Sequence, residues 1–463
     1  MSTAPAPAPS GRGAPGVAAT TLPRRVRIGY GLGSVATGSF GTVPGLLLLP
    51  FLTDRIGVAA GLAGLIVLIP KAWDVVLNPI AGRISDRFTH PAGRRRPFLL
   101  RAGGTLAVLF VLLFAGPTAP TWLGATWVAL VFVACATAYA FFQVPYVAMP
   151  AELTDEPAER TRLMTWRVAF LALAILVSGG LSPAIRDGLG SEWGYRGVGV
   201  FVGLLILFGT AAAWRGTAGA PLRDVPAPAA GLAEQLRLVA GSRDFRLLLV
   251  TFVLQAVAIG CMLAGVDYVA RWVLGRTGAA TLLFVCFVAP ALVVTPLWQV
   301  VGARIGKKAG YAASSLLLLL GSVGIYLARS RSLTEVLLAV AVVGIGYAGA
   351  QMFPLAMLPD VAAVDAARTG QNRVGVFTGV WTGAETLGLA LGPGLYALVL
   401  AWGGYASSTA GQASQAPRTL DAIHLGFSVI PAALIALSVL VLARYRLDED
   451  AVRAAARRGE GGQ

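Results

Sequence analysis

Charged side chains are rare inside the long apolar runs of this chain, and those that occur there have the spacing of working groups. Lys71 and Asp74 lie three residues apart. On a helix that spacing puts both on one face. Two readings stay open: the pair neutralises itself, or Asp74 takes up a proton or a cation and releases Lys71. A carboxyl in apolar surroundings is expensive as an anion and suits reversible protonation. Glu385 stands in Trp381-Thr382-Gly383-Ala384-Glu385-Thr386, with no basic residue one turn away. It is expected to face a central cavity, with Trp381 on the same face. Asp267 and Arg271 are four apart near the end of another run and read either as an interfacial ion pair or as an external gate. Ionisable groups within membrane helices are costly and default to function.

Helices must carry these groups. Hydrophobic residues make up 56% of the 463 residues and charged ones 13%, against about 25% charged in soluble domains. A spanning helix takes about 20 mostly apolar residues. Roughly twelve such runs are found, centred near Gly45, Val67, Leu109, Val133, Ala172, Leu205, Leu254, Val288, Leu317, Val342, Ala390 and Ile435. The expected fold is an all-α membrane protein of about twelve transmembrane helices.

The net charge of +15 does not point to nucleic acid, because of where the charge lies. With both termini in the cytoplasm, most Lys and Arg fall in the tails and cytoplasmic loops. The external loops keep only Arg55, Arg186, Arg196, Arg271, Arg276, Arg329, Arg331 and Arg418. The positive-inside rule then sets the orientation in a plasma (inner) membrane. Cys135, Cys261 and Cys286 fall inside helices and read as small packing residues, with no disulfide framework.

The chain repeats itself. Pro79-Ile80-Ala81-Gly82-Arg83-Ile84-Ser85-Asp86-Arg87, continuing through Gly93-Arg94-Arg95-Arg96-Pro97, matches Val301-Gly302-Ala303-Arg304-Ile305-Gly306-Lys307-Lys308 in place and character. Gln143-Val144-Pro145-Tyr146 through Glu152 likewise matches Gln351-Met352-Phe353-Pro354 through Asp360. Each of the latter is followed by a polar loop and an arginine, Arg162 or Arg373. The expected organisation is a disordered cytoplasmic tail (1–25), a six-helix bundle (26–216), a linker (217–244), a second six-helix bundle (245–446) and a tail (447–463). Residues 231–239 of the linker suit a short surface helix. Two parallel six-helix repeats around a central site are the major facilitator architecture. In a rocking transporter the loop charges Asp86, Arg87, Arg94, Glu152, Arg162 and Asp360 either pair across the halves as a cytoplasmic gate or only solvate their loops. Asp155, Glu159 and Arg160 share that mixed-charge cluster.

The string Trp73-Asp74-Val75-Val76-Leu77-Asn78-Pro79, followed by Gly82, Ser85-Asp86-Arg87 and Gly93 to Phe98, resembles the glycoside–pentoside–hexuronide:cation symporter family. So do Val144-Pro145-Tyr146 through Thr161-Arg162, Leu358-Pro359-Asp360, and Gly375 to Pro393. The resemblance covers residues 26–446. It implies twelve helices, a central substrate site, and sugar uptake often coupled to sodium or protons. The departures bear on coupling. The family's second helix carries two carboxylates one turn apart; here they are Asp74 and Asn78. Its fourth-helix acid falls at Gln143, its first-helix acid near Gly38, and its eleventh-helix lysine at Thr386. The expected coupling set is Asp74, Asn78, Gln143 and Glu385, and H⁺ suits it better than Na⁺, which needs several anionic oxygen ligands. The expected substrate cavity holds Lys71, Tyr139, Arg167, Trp381 and Thr386. Gln255, Gln299 and Gln351 either bond substrate or a neighbouring helix.

No Walker A loop, HExxH, GxSxG or Cys/His metal spacing occurs, and nothing suggests an enzyme. The expected partners are a small-molecule substrate and the lipid bilayer, with no nucleic acid, no resident cofactor and a monomeric state. The leading expectation is an alternating-access, cation-coupled sugar symporter. The rivals are a proton-coupled exporter of a hydrophobic metabolite or drug, and a non-transporting membrane sensor.

Overall fold

The computed structural model describes residues 22–88, 90, 95–154, 156–220, 241–276, 278–328, 332–369, 374–409 and 414–447. The described residues are helical, with no strand among them. Both tails beyond this range, most of the linker with its expected surface helix, and Gly93, Arg94, Asp155, Arg329, Arg331 and Arg373 lie outside the described residues.

Eleven helical runs are long and apolar enough to cross a bilayer. One of them, Pro157–Gly216, has 60 residues. That is about 90 Å of helix, three times a bilayer core of about 30 Å. It breaks at Gly190, whose φ of 74° and ψ of −175° are accessible to glycine and to little else. The run is therefore two spans, and the described residues hold twelve. The spans are α1 (Arg24–Ile56), α2 (Ala60–Arg87), α3 (Arg96–Ala115), α4 (Thr121–Ala148), α5 (157–189), α6 (191–216), α7 (Arg243–Val273), α8 (Ala279–Ile305), α9 (Lys307–Leu327), α10 (Leu333–Thr369), α11 (Val374–Trp402) and α12 (Pro417–Ala443). With an even number of crossings, the two described ends share one side, called here the terminal side. The opposite side is the distal side.

The helices pack the same way twice. In the first half α1 packs on α5 and α6, α2 on α4, and α3 on α4 and α6. In the second half α7 packs on α11 and α12, α8 on α10, and α9 on α10 and α12. Each contact recurs six helices later. Glycine makes the tightest crossings: a methyl group on Gly29 of α1 would stand 2.5 Å from Gly216 Cα of α6, and one on Gly392 of α11 would stand 2.4 Å from Cys261 N of α7. Small residues at helix crossings let backbones approach where no hydrophobic drive separates helix from lipid. The equivalent helices α1 and α7 are the most enclosed, with 89% and 61% of their apolar windows buried, against 28% for α8. The halves meet along α2–α11 and α5–α8, again an equivalent pair, and along α1–α7.

Helix α2 shows how one sequence serves two solvents. Leu62, Leu65, Ile69, Trp73, Val76, Ile80 and Ile84 are exposed. Their spacings of three and four make one apolar stripe, which suits acyl chains. Val67, Lys71, Asp74 and Asn78 also step by three and four, on another face, and line a cavity. Pro70 and Pro79 lie within the helix, as membrane helices allow.

Candidate functional site

The central cavity lies where the halves meet, with a volume of about 190 Å³. α2 supplies Lys71, Asp74 and Asn78, α4 supplies Tyr139 and Gln143, and α11 supplies Thr386. α1 contributes Gly41, Pro44 and Gly45, and α7 contributes Gly260 and Leu263. A side chain added at Gly41 would meet nothing within 4 Å, so this glycine leaves room for a solute. Asp74 is 2% exposed, and its Oδ1 has no hydrogen-bond partner. Lys71 forms no ion pair with it. The ammonium instead stands 5.3 Å from the Phe40 ring centre and 6.0 Å from that of Tyr139.

Three expected members lie elsewhere. Glu385 lines a second, smaller cavity within the second half, with Tyr347, Gln351 and Gln255. Leu389 borders both cavities. Trp381 is 1% exposed and packs on Phe252 at 4.5 Å between ring centres. It faces neither cavity, because its large indole fills the space between α11 and α7. Arg167 lies over the Tyr146 ring at 5.8 Å and is not among the residues lining the central cavity. Tyr146 in turn donates to Tyr30 O at 2.7 Å and pairs with Ser34 Oγ at 2.9 Å, so Arg167 belongs to the packing of α1, α4 and α5. Gln255 donates to Ser315 and Ser438 at 2.8 and 2.9 Å and accepts from Tyr311 at 3.1 Å. It ties α7 to α9 and α12 and has little left for a solute. Gln351 donates to Tyr347 at 2.9 Å on its own helix, and Gln299 is exposed.

On the distal side a charged network bridges the halves. Asp267 of α7 is fully buried. It accepts from Arg186 of α5 and from Arg271 one turn along its own helix. Arg271 reaches Asp54 of α1 at 2.7 Å. Asp54 also accepts from Tyr405 at 2.7 Å and from Thr53 at 2.8 Å, and Thr53 meets Tyr268 at 2.7 Å. Asp54 and Arg186 come from the first half, the others but Thr53 from the second. The sequence reading put Arg186 and Arg271 in external loops. They sit instead within helices, tolerated there because three carboxylates, Asp54, Asp187 and Asp267, pair with them, Asp187 meeting Arg186 at 2.7 Å. Only the four-residue spacing of Asp267 and Arg271 signalled the network; Asp54 and Tyr405 gave none.

The terminal side differs. Arg95 binds Asp86 and Glu152, each at 3.0 Å. Arg162 binds Glu159 at 2.6 Å, and Arg27 approaches Glu159 at 3.9 Å. Lys307 binds Asp360 at 2.6 Å. Arg87 is exposed. Every ion pair between described residues here stays within one half, so among the described residues no expected gate charge pairs with the other half. The second basic loop also shrinks to Gly306, whose φ of 85° turns α8 directly into α9.

Two equivalent six-helix bundles enclosing a shared polar cavity define a multi-pass secondary transporter of the major facilitator kind, whose work is to move a small molecule across a membrane. The chain belongs to the family described as MFS/sugar transport protein, whose model matches residues 29–449. A glucuronide carrier protein homolog of Escherichia coli K12 is 24% identical, over 92% of this chain and 93% of its own length. The inner membrane symporter YicJ of the same organism is 22% identical over 90% and 91%. The crystal structure of a bacterial homolog of the human lysosomal transporter Spinster aligns with a TM-score of 0.68 at 15% identity, covering 94% of this chain and 97% of that one; the likeness concerns the fold. The resemblance to glycoside–pentoside–hexuronide:cation symporters is borne out, and members of such a family are transporters, not enzymes.

Proposed function

We propose that this chain is a proton-coupled symporter of small sugar-like solutes, working as a monomer by alternating access in the plasma (inner) membrane with both termini cytoplasmic. One observation carries the reading: Asp74, buried and with its Oδ1 free of any hydrogen bond, lines a polar cavity between the halves. A buried carboxylate without a partner is costly unless a proton or cation joins it. Sodium would need several anionic oxygens, and Asp74 is the single carboxylate lining this cavity among the described residues. Asn78, Gln143 and Thr386 can exchange hydrogen bonds with sugar hydroxyls, and Tyr139 offers a ring face. The relatives named as a symporter and as a glucuronide carrier homolog support the substrate class.

The terminal side is then cytoplasmic, and this conformation is sealed outside by the distal network. Asp86, Arg87, Glu152, Arg162 and Asp360 would exchange partners across the halves when the cytoplasmic side closes. Glu385, in the neighbouring cavity, serves as a second proton site or as a structural group of its bundle. The apolar part of the cavity wall, including Val67, Phe132 and Leu263, favours a second reading, export of a hydrophobic solute. Lys71 and Asp74 weigh against it, since an apolar cargo would leave both uncompensated.

The test is uptake of labelled sugars into proteoliposomes under an imposed H⁺ or Na⁺ gradient. Accumulation driven by H⁺ and abolished in Asp74→Asn is expected. Accumulation driven by Na⁺ alone, or retained in Asp74→Asn, would overturn the coupling assignment.

A further inference from the structure

We infer that a pocket at the terminal end of the second half binds the headgroup of an anionic phospholipid. The pocket shares no lining residue with the central cavity, so the inference holds whatever the cargo. Its volume is about 580 Å³, and its wall includes Lys307 and Lys308 at the start of α9, Asp360 of α10, and Tyr445 and Arg446 just beyond α12. Hydrogen bonds build it. Lys307 donates to Asp360 at 2.6 Å and to Ala356 O at 3.2 Å, tying α9 to α10. Lys308 donates to Tyr445 O at 2.6 Å, tying α9 to the end of α12. Tyr445 is 2% exposed, so the chain that carries Arg446 is held in place.

Three cations face one carboxylate in this wall, and Lys307 already engages that carboxylate. Lys308 and Arg446 have no acidic partner among the described residues. A phosphodiester would accept charge-assisted hydrogen bonds from both. A zwitterionic headgroup would bring a cation of its own against them.

The depth of the pocket selects a lipid over a soluble anion. Val293, Leu297 and Val300 of α8 are exposed and step by four and three, and Leu437 and Leu440 of α12 are exposed and three apart. Such stripes suit acyl chains. Each stripe continues four residues on in an exposed arginine, Arg304 and Arg444. An arginine closing an apolar stripe sets its charge at the headgroup level. The pocket opens directly beyond these two, with Ile305 and Tyr445 in its wall. Basic pockets between helices at this level suit anionic headgroups, and the stripes beside this one would receive the tails.

The experiment uses the purified full-length protein in a neutral detergent. Dioleoyl phosphatidylglycerol, dioleoyl phosphatidylcholine and inorganic phosphate are titrated in turn, and bound adducts are counted by native mass spectrometry. Phosphatidylglycerol should be retained over phosphatidylcholine by at least ~10-fold, the weight of one charge-assisted hydrogen bond. Arg446→Gln, which breaks no hydrogen bond or ion pair among the described residues, should lower that preference several-fold. Lys308→Gln combined with Arg446→Gln should bring it close to unity. Unfolding temperatures in lipid-free detergent should match the parent, and if the double variant fails to fold, Arg446→Gln alone decides. Arg196→Gln with Arg418→Gln removes the same charge from the distal side and should leave the preference intact. An equal loss there would mean binding by net charge and overturn the assignment. Retention of inorganic phosphate without preference between the lipids would assign the pocket to a soluble anion, and retention of no probe would leave it no ligand; either result overturns the inference.

Discussion

The two ends of the molecule hold their charges differently. At the distal end five ionised groups from both halves, Asp54, Arg186, Asp187, Asp267 and Arg271, are drawn into one largely buried network, and a tyrosine completes it. At the terminal end the charges are at least as many, but each pair closes within its own half. The same kind of side chain is a clasp in one place and a brace in the other. Burial decides the strength: Asp267 is fully buried, whereas the Lys307 side chain is 44% exposed. A clasp between halves must break for the distal side to open, so its energy bears directly on the balance of conformations. A brace within a half moves with that half and leaves the balance alone.

Asp267→Asn strikes the clasp hardest. It removes the carboxylate that Arg186 and Arg271 share, leaving Arg186 with Asp187 and Arg271 with Asp54; breaking a buried pair from one side costs about 3–5 kcal/mol, and these remaining partners set the expected loss at the lower end. Thermal unfolding of the purified protein should fall accordingly. A cysteine placed at Gly41, with Cys135, Cys261 and Cys286 replaced, should react with an impermeant maleimide added to the distal side at least ~10-fold faster, since ~1.4 kcal/mol already shifts a two-state balance tenfold. Unchanged stability and unchanged labelling together would show that the network is no clasp.

Arg95→Ala is the matching blow to a brace. Arg95 is 8% exposed and serves both Asp86 and Glu152, so its loss should cost about 2 kcal/mol as a lower unfolding temperature. Labelling at position 41 from the distal side should not change. A labelling increase equal to that of Asp267→Asn would erase the distinction between the two ends.

Much of this was legible in the sequence, for identifiable reasons. Twelve spans and the duplication follow from hydropathy and repeated loops, which are local signals. Lys71, Asp74 and Asn78 line one cavity because they share a single helix, where spacing determines the face. Trp381 and Glu385 share a helix as well, but which neighbour that helix meets is a tertiary fact: Glu385 lines the second, smaller cavity and Trp381 packs on Phe252. Asp54, Arg186, Asp267 and Tyr405 come from four distant segments. No periodicity links them, so only Asp267 with Arg271 stood out. Arg186 and Arg271 were read as loop residues for the same reason: their partners lie far away in the chain.

Tyr405→Phe probes how far the clasp depends on its neutral member. The hydroxyl donates to Asp54 and accepts from Trp272 at 3.0 Å. Its removal should cost about 1 kcal/mol and speed distal-side labelling at position 41 a few-fold, less than Asp267→Asn does. An effect as large as that of the charge deletion would mean that Tyr405 positions Asp54 rather than merely satisfying it.

The smallest effect is expected at Lys307→Ala. The Lys307–Asp360 pair is short, at 2.6 Å, but half open to solvent, and exposed pairs contribute about 0.2–1 kcal/mol. Salt sharpens the contrast. Raising ionic strength toward ~1 M shortens the Debye length to about 3 Å, so the stability difference between Lys307→Ala and the parent should vanish. The Asp267→Asn difference should persist, because ions do not reach a buried network. A clasp effect that faded with salt as the lysine effect does would place water, and therefore an open path, at Asp267.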